Sequence, residues 1–263
     1  LKSQSFSRLL AAAESNYTRR PAFSDKRGRD WRDASYAEVH AGSRALAHWL
    51  SPLQATDKVM IFSESRIEWP IAFFATMLAG AIAVPVDAKS TAQELAIFIA
   101  STRPAVILVS PRLLATLDEA MAETQWHGRC LVLDHHAYGA KASLADVRGD
   151  EGFVACEREA DATAVIAFTS ATSGQPKAVE TSIGNLFHQM YSLRALFGVK
   201  HGDAMLSILP LSHLLELSCG FLAAFACGAQ INYLNSILPA EITEALKDRQ
   251  VTHMIVVPLL SFT

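Results

Sequence analysis

Three stretches of this chain place a hydroxyl residue, two intervening residues and a glutamate ahead of an apolar pattern of helical period. They are Ser35 to Glu38 (SYAE), Ser65 to Glu68 (SRIE) and Thr91 to Glu94 (TAQE). This is the capping-box arrangement, in which the hydroxyl accepts from the third helical N–H and the glutamate reaches back to the cap. It predicts helices over 36–50, 66–79 and 92–102. Between and after them lie 58-KVMIF-62, 81-AIAVPV-86, 105-AVILV-109 and 130-CLVL-133. These runs are apolar on both alternating faces, as a strand must be when helices cover both sides of its sheet. Strands of this kind alternating with amphipathic helices predict an α/β chain with a parallel sheet.

The alternation resumes further on. Strands are expected at 163-TAVIAFT-169, 204-AMLSIL-209, 230-QINYL-234 and 251-VTHMIVV-257, and helices at 183–197, 213–227 and 239–248. Gly198 and Gly228 stand where a left-handed helix cap belongs, and Pro239 suits a first helical turn. The polar, weakly patterned stretch 134–161 reads as a seam. The expectation is two parallel-sheet units covered by helices, one over 1–160 and a second over 161–263. The second is expected to be cut short, because 258-PLLSFT-263 follows a strand with no closing element.

Composition narrows the function. With 263 residues, 51% of them hydrophobic, the chain can bury a large core. A net charge of −3, dispersed along the sequence, argues against nucleic acid as a partner. The apolar stretches 71–86 and 217–229 fall short of the ~20 residues a membrane helix needs, so no transmembrane segment is expected. Cys130, Cys156, Cys219 and Cys227 form neither a CxxC pair nor a zinc spacing, so free cysteines and a reducing, cytoplasmic compartment are expected. The pair His135–His136 has no partner at metal-ligand spacing, and there is no GxSxG elbow of a serine hydrolase.

The stretch 168-FTSATSGQPKA-178 carries the chemistry. Its hydroxyls at Thr169, Ser170, Thr172 and Ser173 surround one cation, Lys177, with no carboxylate among them. The loop follows a buried strand, where open α/β sheets bind ligands. Hydroxyls, backbone N–H groups and an ammonium suit phosphate oxygens, although the same composition also suits a polar surface turn. A Walker loop does not fit, because Ala178 stands where GxxxxGK[ST] requires a hydroxyl.

At these residues the chain resembles the adenylate-forming superfamily, whose phosphate loop reads [FY]-T-S-G-T-T-G-x-P-K-G. Phe168, Thr169, Ser170, Thr172, Gly174, Pro176 and Lys177 are identical to it. Ala171 and Ala178 replace glycine, Ser173 replaces threonine, and Ile183 stands where histidine is common. Other segments of the family follow in order: 56-TDKVMIFSESRIEWPIAFFA-75, 77-MLAGAIAVPVD-87, 206-LSILPLSHLLE-216 and 251-VTHMIVVPLL-260. The resemblance extends over about residues 5–263 and implies the N-terminal part of an adenylate-forming enzyme's large domain.

The resemblance implies an acyl-CoA or acyl-carrier-protein synthetase that activates a carboxylic, expectedly fatty, acid with ATP and passes the acyl group to a thiol. The thiol belongs to coenzyme A or a carrier protein's pantetheine. Thr169, Ser170, Thr172, Ser173 and Lys177 contact the ATP phosphates by this resemblance, with Ala171 and Gly174 in the same loop, and Thr169 also touches Mg2+. His213 lines the acyl pocket near the reacting carboxylate, with Glu216 beside it, as in long-chain synthetases. A left-handed Ala171 costs ~1–2 kcal/mol, small beside the ~8–23 kcal/mol by which enzymes lower barriers. The family's Mg2+-binding glutamate, ribose aspartate and C-terminal lysine have no place in this sequence, so the chain alone is expected to be inactive. The alternative is a degenerate acyl- or nucleotide-binding module, suggested by Ala171 and Ala178.

Overall fold

The computed structural model describes residues 4–51, 53–169 and 177–257. In chain order these form α1 (Phe6–Tyr17), β1 (Pro21–Arg27), β2 (Asp30–Ser35), α2 (Tyr36–Leu50), β3 (Lys58–Phe62), α3 (Glu68–Leu78), β4 (Ile82–Val86), α4 (Ala92–Thr102), β5 (Val106–Val109) and α5 (Leu114–Thr124). There follow β6 (Arg129–Val132), β7 (Ala142–Ser143), β8 (Thr163–Thr169), β9 (Lys177–Ser182), α6 (Ile183–Phe197), β10 (Ala204–Ser207), α7 (Ala224–Cys227), β11 (Gln230–Tyr233), α8 (Pro239–Asp248) and β12 (His253–Met254). They fold into two compact units whose residues interleave along the chain. Most of the first comes from residues 41–64 and 68–184, and most of the second from 8–40 and 185–257.

The first unit is built on a sheet of order β7-β6-β5-β3-β4-β8-β9, parallel except for the antiparallel β8–β9 pair at one edge. On one face Met60, Phe62, Val84, Val86, Ile107 and Val109 pack against Leu95 and Ile99 of α4 and Leu117 of α5. The alternate residues Val59, Ile61, Ala83 and Leu108 are buried as well, so both faces are covered. At ~1.5–3 kcal/mol for each fully buried large aliphatic side chain, this layer supplies most of the unit's driving force. Helix α3 is buried on nearly every side, and its Trp69 and Phe73 rings stack 5.9 Å apart.

The caps explain where the helices start. Thr91 forms a complete capping box with Glu94, and Ser35 and Glu38 exchange the same pair of bonds. The segment at 65–68 differs, because α3 begins only at Glu68. The N–H of Ile67, expected inside the helix, donates instead to Asp25 Oδ2 at 3.1 Å, and the Ser65 carbonyl accepts from Asn235 at 2.8 Å.

The second unit has a sheet of order β12-β10-β11-β1-β2, parallel but for the β1–β2 hairpin. Leu206 and Leu234 meet Ile242 and Ala245 of α8 on one face. On the opposite face Phe23 stacks on Phe225, with centroids 5.5 Å apart, and meets Phe221 edge-on at 5.7 Å. The expected helix 213–227 forms with a π-helical stretch, Glu216–Ala223, ahead of α7. Gly228 caps α7 in the left-handed conformation, φ 79°. The expected strand over 251–257 is reduced to a two-residue pairing with Met205 and Leu206.

The boundary expected between 160 and 161 meets a different arrangement. The apolar run of β8 pairs with β4, and β9 folds back on β8, so the hairpin completes the first sheet. The second sheet is completed by β1 and β2 from near the start of the chain. Among the described residues no helix is long and apolar enough to cross a membrane, and all four cysteines are free.

Candidate functional site

In the first unit the β8–β9 hairpin brings Thr169 and Lys177 together. They are direct partners across the antiparallel pair, and Thr169 Oγ1 lies 3.4 Å from the Lys177 carbonyl oxygen, to which it donates. Both residues are exposed. Because β8 runs parallel to β4, Thr169 stands at the carboxyl end of the parallel sheet, the edge where such sheets bind ligands. Phe168, one residue earlier, stacks on Phe98 with centroids 4.2 Å apart. At the far end of the hairpin Thr163 Oγ1 donates to Glu180 at 2.7 Å. The start of α6 is pinned at Gly184, whose N–H donates to the Ala160 carbonyl at 2.7 Å. A Cβ there would lie 2.9 Å from the same oxygen.

In the second unit His213 stands just before the helical segment that carries Glu216, and the two face different surroundings. His213 is exposed; its N–H donates to the Pro210 carbonyl and its own carbonyl accepts from Leu217 N. Glu216 is 1% exposed. Burial pushes its carboxyl up to about 7 from an ordinary 4.5, and the nearby Ser207 hydroxyl pulls it back a little. That hydroxyl and both carboxylate oxygens nevertheless lack a hydrogen bond of ordinary geometry.

Two cavities flank this segment. One, of about 450 Å³, is lined by His188, Gln189, Ser192, Leu215, Ser218 and Cys219 among others, and Ser218 Oγ donates to Gln189 Oε1 at 2.6 Å. The other, of about 570 Å³, is mainly apolar, with Phe197, Met205, Ala223 and Met254 in its wall. Leu193, Leu215 and Cys219 belong to both linings, whereas neither His213 nor Glu216 belongs to either.

The sequence family of AMP-binding enzymes matches residues 10–261. The chain belongs to that family. This member is 28% identical over 221 residues to the long-chain-fatty-acid–CoA ligase FadD15 of Mycobacterium bovis, covering 79% of this chain and 36% of that protein. It is 26% identical over 235 residues to the long-chain-fatty-acid–[acyl-carrier-protein] ligase AEE15 of Arabidopsis thaliana, covering 79% of this chain and 31% of that protein. Its fold matches ATP-bound MatB from Rhodopseudomonas palustris with a TM-score of 0.80 at 23% identity, over 97% of this chain and 50% of that one. The chain thus spans about a third of the length of the curated relatives it matches. The expected fold class, helix-covered parallel sheets of the adenylate-forming type, is the one found.

For this AMP-binding enzyme chain, Ser170, Ala171, Thr172, Ser173 and Gly174 lie outside the described residues, and Thr169 and Lys177 frame them. Ala178 sits within β9 opposite Phe168, where extended backbone accommodates a Cβ. Among the described residues no group of three or more His, Cys, Asp or Glu could hold a metal. Thr169 presents one exposed hydroxyl at the carboxyl edge of the sheet. Glu216, named with His213 as substrate-binding, has its side chain buried near Ser207 and Tyr233, hydroxyls of paired strands. Sequence reasoning missed these two, and Gly220, whose missing Cβ makes room for the Glu216 carboxyl. A glycine four residues after a glutamate in an apolar helix was the available signal.

Proposed function

We propose that this chain is part of an AMP-forming acid–thiol ligase that activates a carboxylic, fatty acid as its acyl-adenylate and transfers it to coenzyme A or a carrier protein's pantetheine. The observation that carries the reading is the juxtaposition of Thr169 and Lys177 at the carboxyl end of β8, in a chain of the AMP-binding family. A cation and a hydroxyl at that edge suit the β- and γ-phosphates of ATP, with Ser170, Ala171, Thr172, Ser173 and Gly174 supplying the loop between them. Charge grows on the pyrophosphate leaving group, and preorganised donors stabilise it. Thr169 would also offer its hydroxyl to Mg2+, which would offset the charge on the phosphates.

His213 is assigned to the reacting carboxylate, and the apolar cavity of about 570 Å³ is of the size and character that suits an acyl chain. The extended setting of Ala178 weighs against the alternative of a degenerate binding module. The four free cysteines are in keeping with a reducing, cytoplasmic compartment. The chain by itself is expected to carry out no adenylation. The test is equilibrium binding of ATP to wild type and Lys177→Ala. A loss of tenfold or more in affinity, with circular dichroism unchanged, is expected; equal affinities would overturn the assignment of Lys177 to the phosphates.

A further inference from the structure

The second sheet carries a buried polar row that the proposed chemistry does not use. Strand register places Arg32 beside Asp25, Asp25 beside Tyr233, and Tyr233 beside Ser207. Asp25 is well satisfied, accepting from Arg32 at 2.8 Å and from the Ile67 N–H at 3.1 Å. Tyr233 and Ser207 are not. Their hydroxyls are buried and, like both oxygens of Glu216, make no hydrogen bond of ordinary geometry among the described residues. Buried polar groups almost always find partners, so two such hydroxyls beside a carboxyl whose own two oxygens are in the same state are a departure that calls for a role.

Gly220 fixes where that carboxyl lies. A Cβ at residue 220 would stand 2.0 Å from Glu216 Oε1 and 2.4 Å from its Cδ, so the carboxyl is seated against the backbone of its own helix. Long helical side chains ordinarily lean the other way, toward the preceding turn. The seat falls within the π-helical stretch Glu216–Ala223. A π turn holds more residues than an α turn, so it changes the face presented by each residue that follows, and such stretches are rare and frequently found at functional sites. Here those faces matter, because Leu215, Ser218 and Cys219 line the smaller cavity and Cys219, Ala223, Ala224 and Cys227 the larger.

We propose that Glu216 is the positioning residue that holds this stretch in its π form, and so determines which side chains the helix turns toward the two cavities. Ionisation of the carboxyl releases the turn. The titratable groups facing it are Tyr233 on β11, with Asp25 beyond it on β1, and Cys219 on its own helix. None contributes a positive charge that would hold the carboxylate in place. The inference rests on the proposed function only for what occupies the cavities.

Nuclear magnetic resonance of the chain between pH 5.5 and 8.5 tests it, with carboxyl-labelled glutamate and assigned amides. The expected result is that the amides of 216–223 move together with the Glu216 carboxyl, with a midpoint near 7, and that Glu216→Gln keeps the low-pH pattern throughout. Gly220→Ala, which removes the seat, is expected to show the high-pH pattern already at pH 6. Binding of cis-parinaric acid is expected to weaken at least tenfold more in wild type than in Glu216→Gln between pH 6 and 8.5. Amides that titrate alike in wild type and Glu216→Gln overturn the proposal, as does a folded Gly220→Ala with the low-pH pattern. If Gly220→Ala does not fold, the Glu216→Gln comparison decides. A wild type whose amides titrate with Glu216 but which binds no fatty acid refutes the acid-binding reading and leaves the positioning role standing.

Discussion

Replacing Glu216 by glutamine removes an ionisable carboxyl from a site where no cation among the described residues offsets its charge, and the consequence for stability follows from linkage. The folded chain holds the Glu216 proton to about pH 7, whereas the unfolded chain releases it at the ordinary 4.5. Between those values the unfolded state binds fewer protons, so stability falls as pH rises, and the full cost is in place above the folded value. The offset of about 2.5 units is worth ~3 kcal/mol at 1.36 kcal/mol per unit. Some of that cost is already present at pH 5, and between pH 5 and 8.5 it grows by ~2–3 kcal/mol. Glutamine has no such dependence. Its amide is buried without a designed partner, a penalty of ~1–3 kcal/mol that does not vary with pH. Urea unfolding of both proteins at pH 5, 6, 7 and 8.5 isolates the pH-dependent part. The difference between variant and wild type is expected to shift by ~2–3 kcal/mol in favour of glutamine across that range. A difference constant to within ~0.5 kcal/mol would show that Glu216 titrates alike in both states, and the account of an unpaired buried acid would be wrong.

Three further substitutions probe the scaffold. Thr91→Ala removes one half of a complete capping box and is expected to cost ~1 kcal/mol in thermal or urea unfolding, with Thr91→Ser close to neutral. Asp25→Asn is expected to cost ~2–3 kcal/mol at pH 7. Burial raises the Asp25 carboxyl, but the Arg32 guanidinium, the Ile67 N–H and Arg27 together hold it below its ordinary value. Its contribution is therefore present above the ordinary carboxylate pKa and lost as pH falls through the depressed one, so the Asp25→Asn difference is expected to shrink in acid; a difference unchanged down to pH 3 would contradict the pairing. Gly184→Ala drives a Cβ to 2.9 Å from the Ala160 carbonyl oxygen and is expected to destabilise by ~1–3 kcal/mol, which urea unfolding checks.

How much of this was legible in the sequence depended on whether local chemistry decided the outcome. The runs at 58–62 and 163–169 became strands with the expected bounds, and α6 spans the expected 183–197, because apolar strands and continuous amphipathic helices specify themselves. The pairs β1–β2 and β8–β9 were not anticipated. β2 and β9 are polar edge strands, where burial on both faces is not required, and β1, though buried on both faces, interrupts its apolar run with the buried Ser24 and Asp25. The late start of α3 was likewise out of reach, since the Ile67 N–H is claimed by Asp25, 42 residues earlier. At the candidate site, Thr169 and Lys177 could be read from the loop pattern. The burial of Glu216 could not, because spacing alone places it near His213, whereas the packing of the helix on Ser207 and Tyr233 turns its side chain inward.

The central claim is that Thr169 and Lys177 frame an ATP phosphate site in an acid-activating ligase. The most direct test is acid-dependent exchange of labelled pyrophosphate into ATP by the full-length gene product, with saturated fatty acids of graded chain length. Exchange that depends on the acid, is lost in Lys177→Ala and is absent from the 263-residue chain alone is the predicted result. No exchange with any acid at saturating ATP would contradict it.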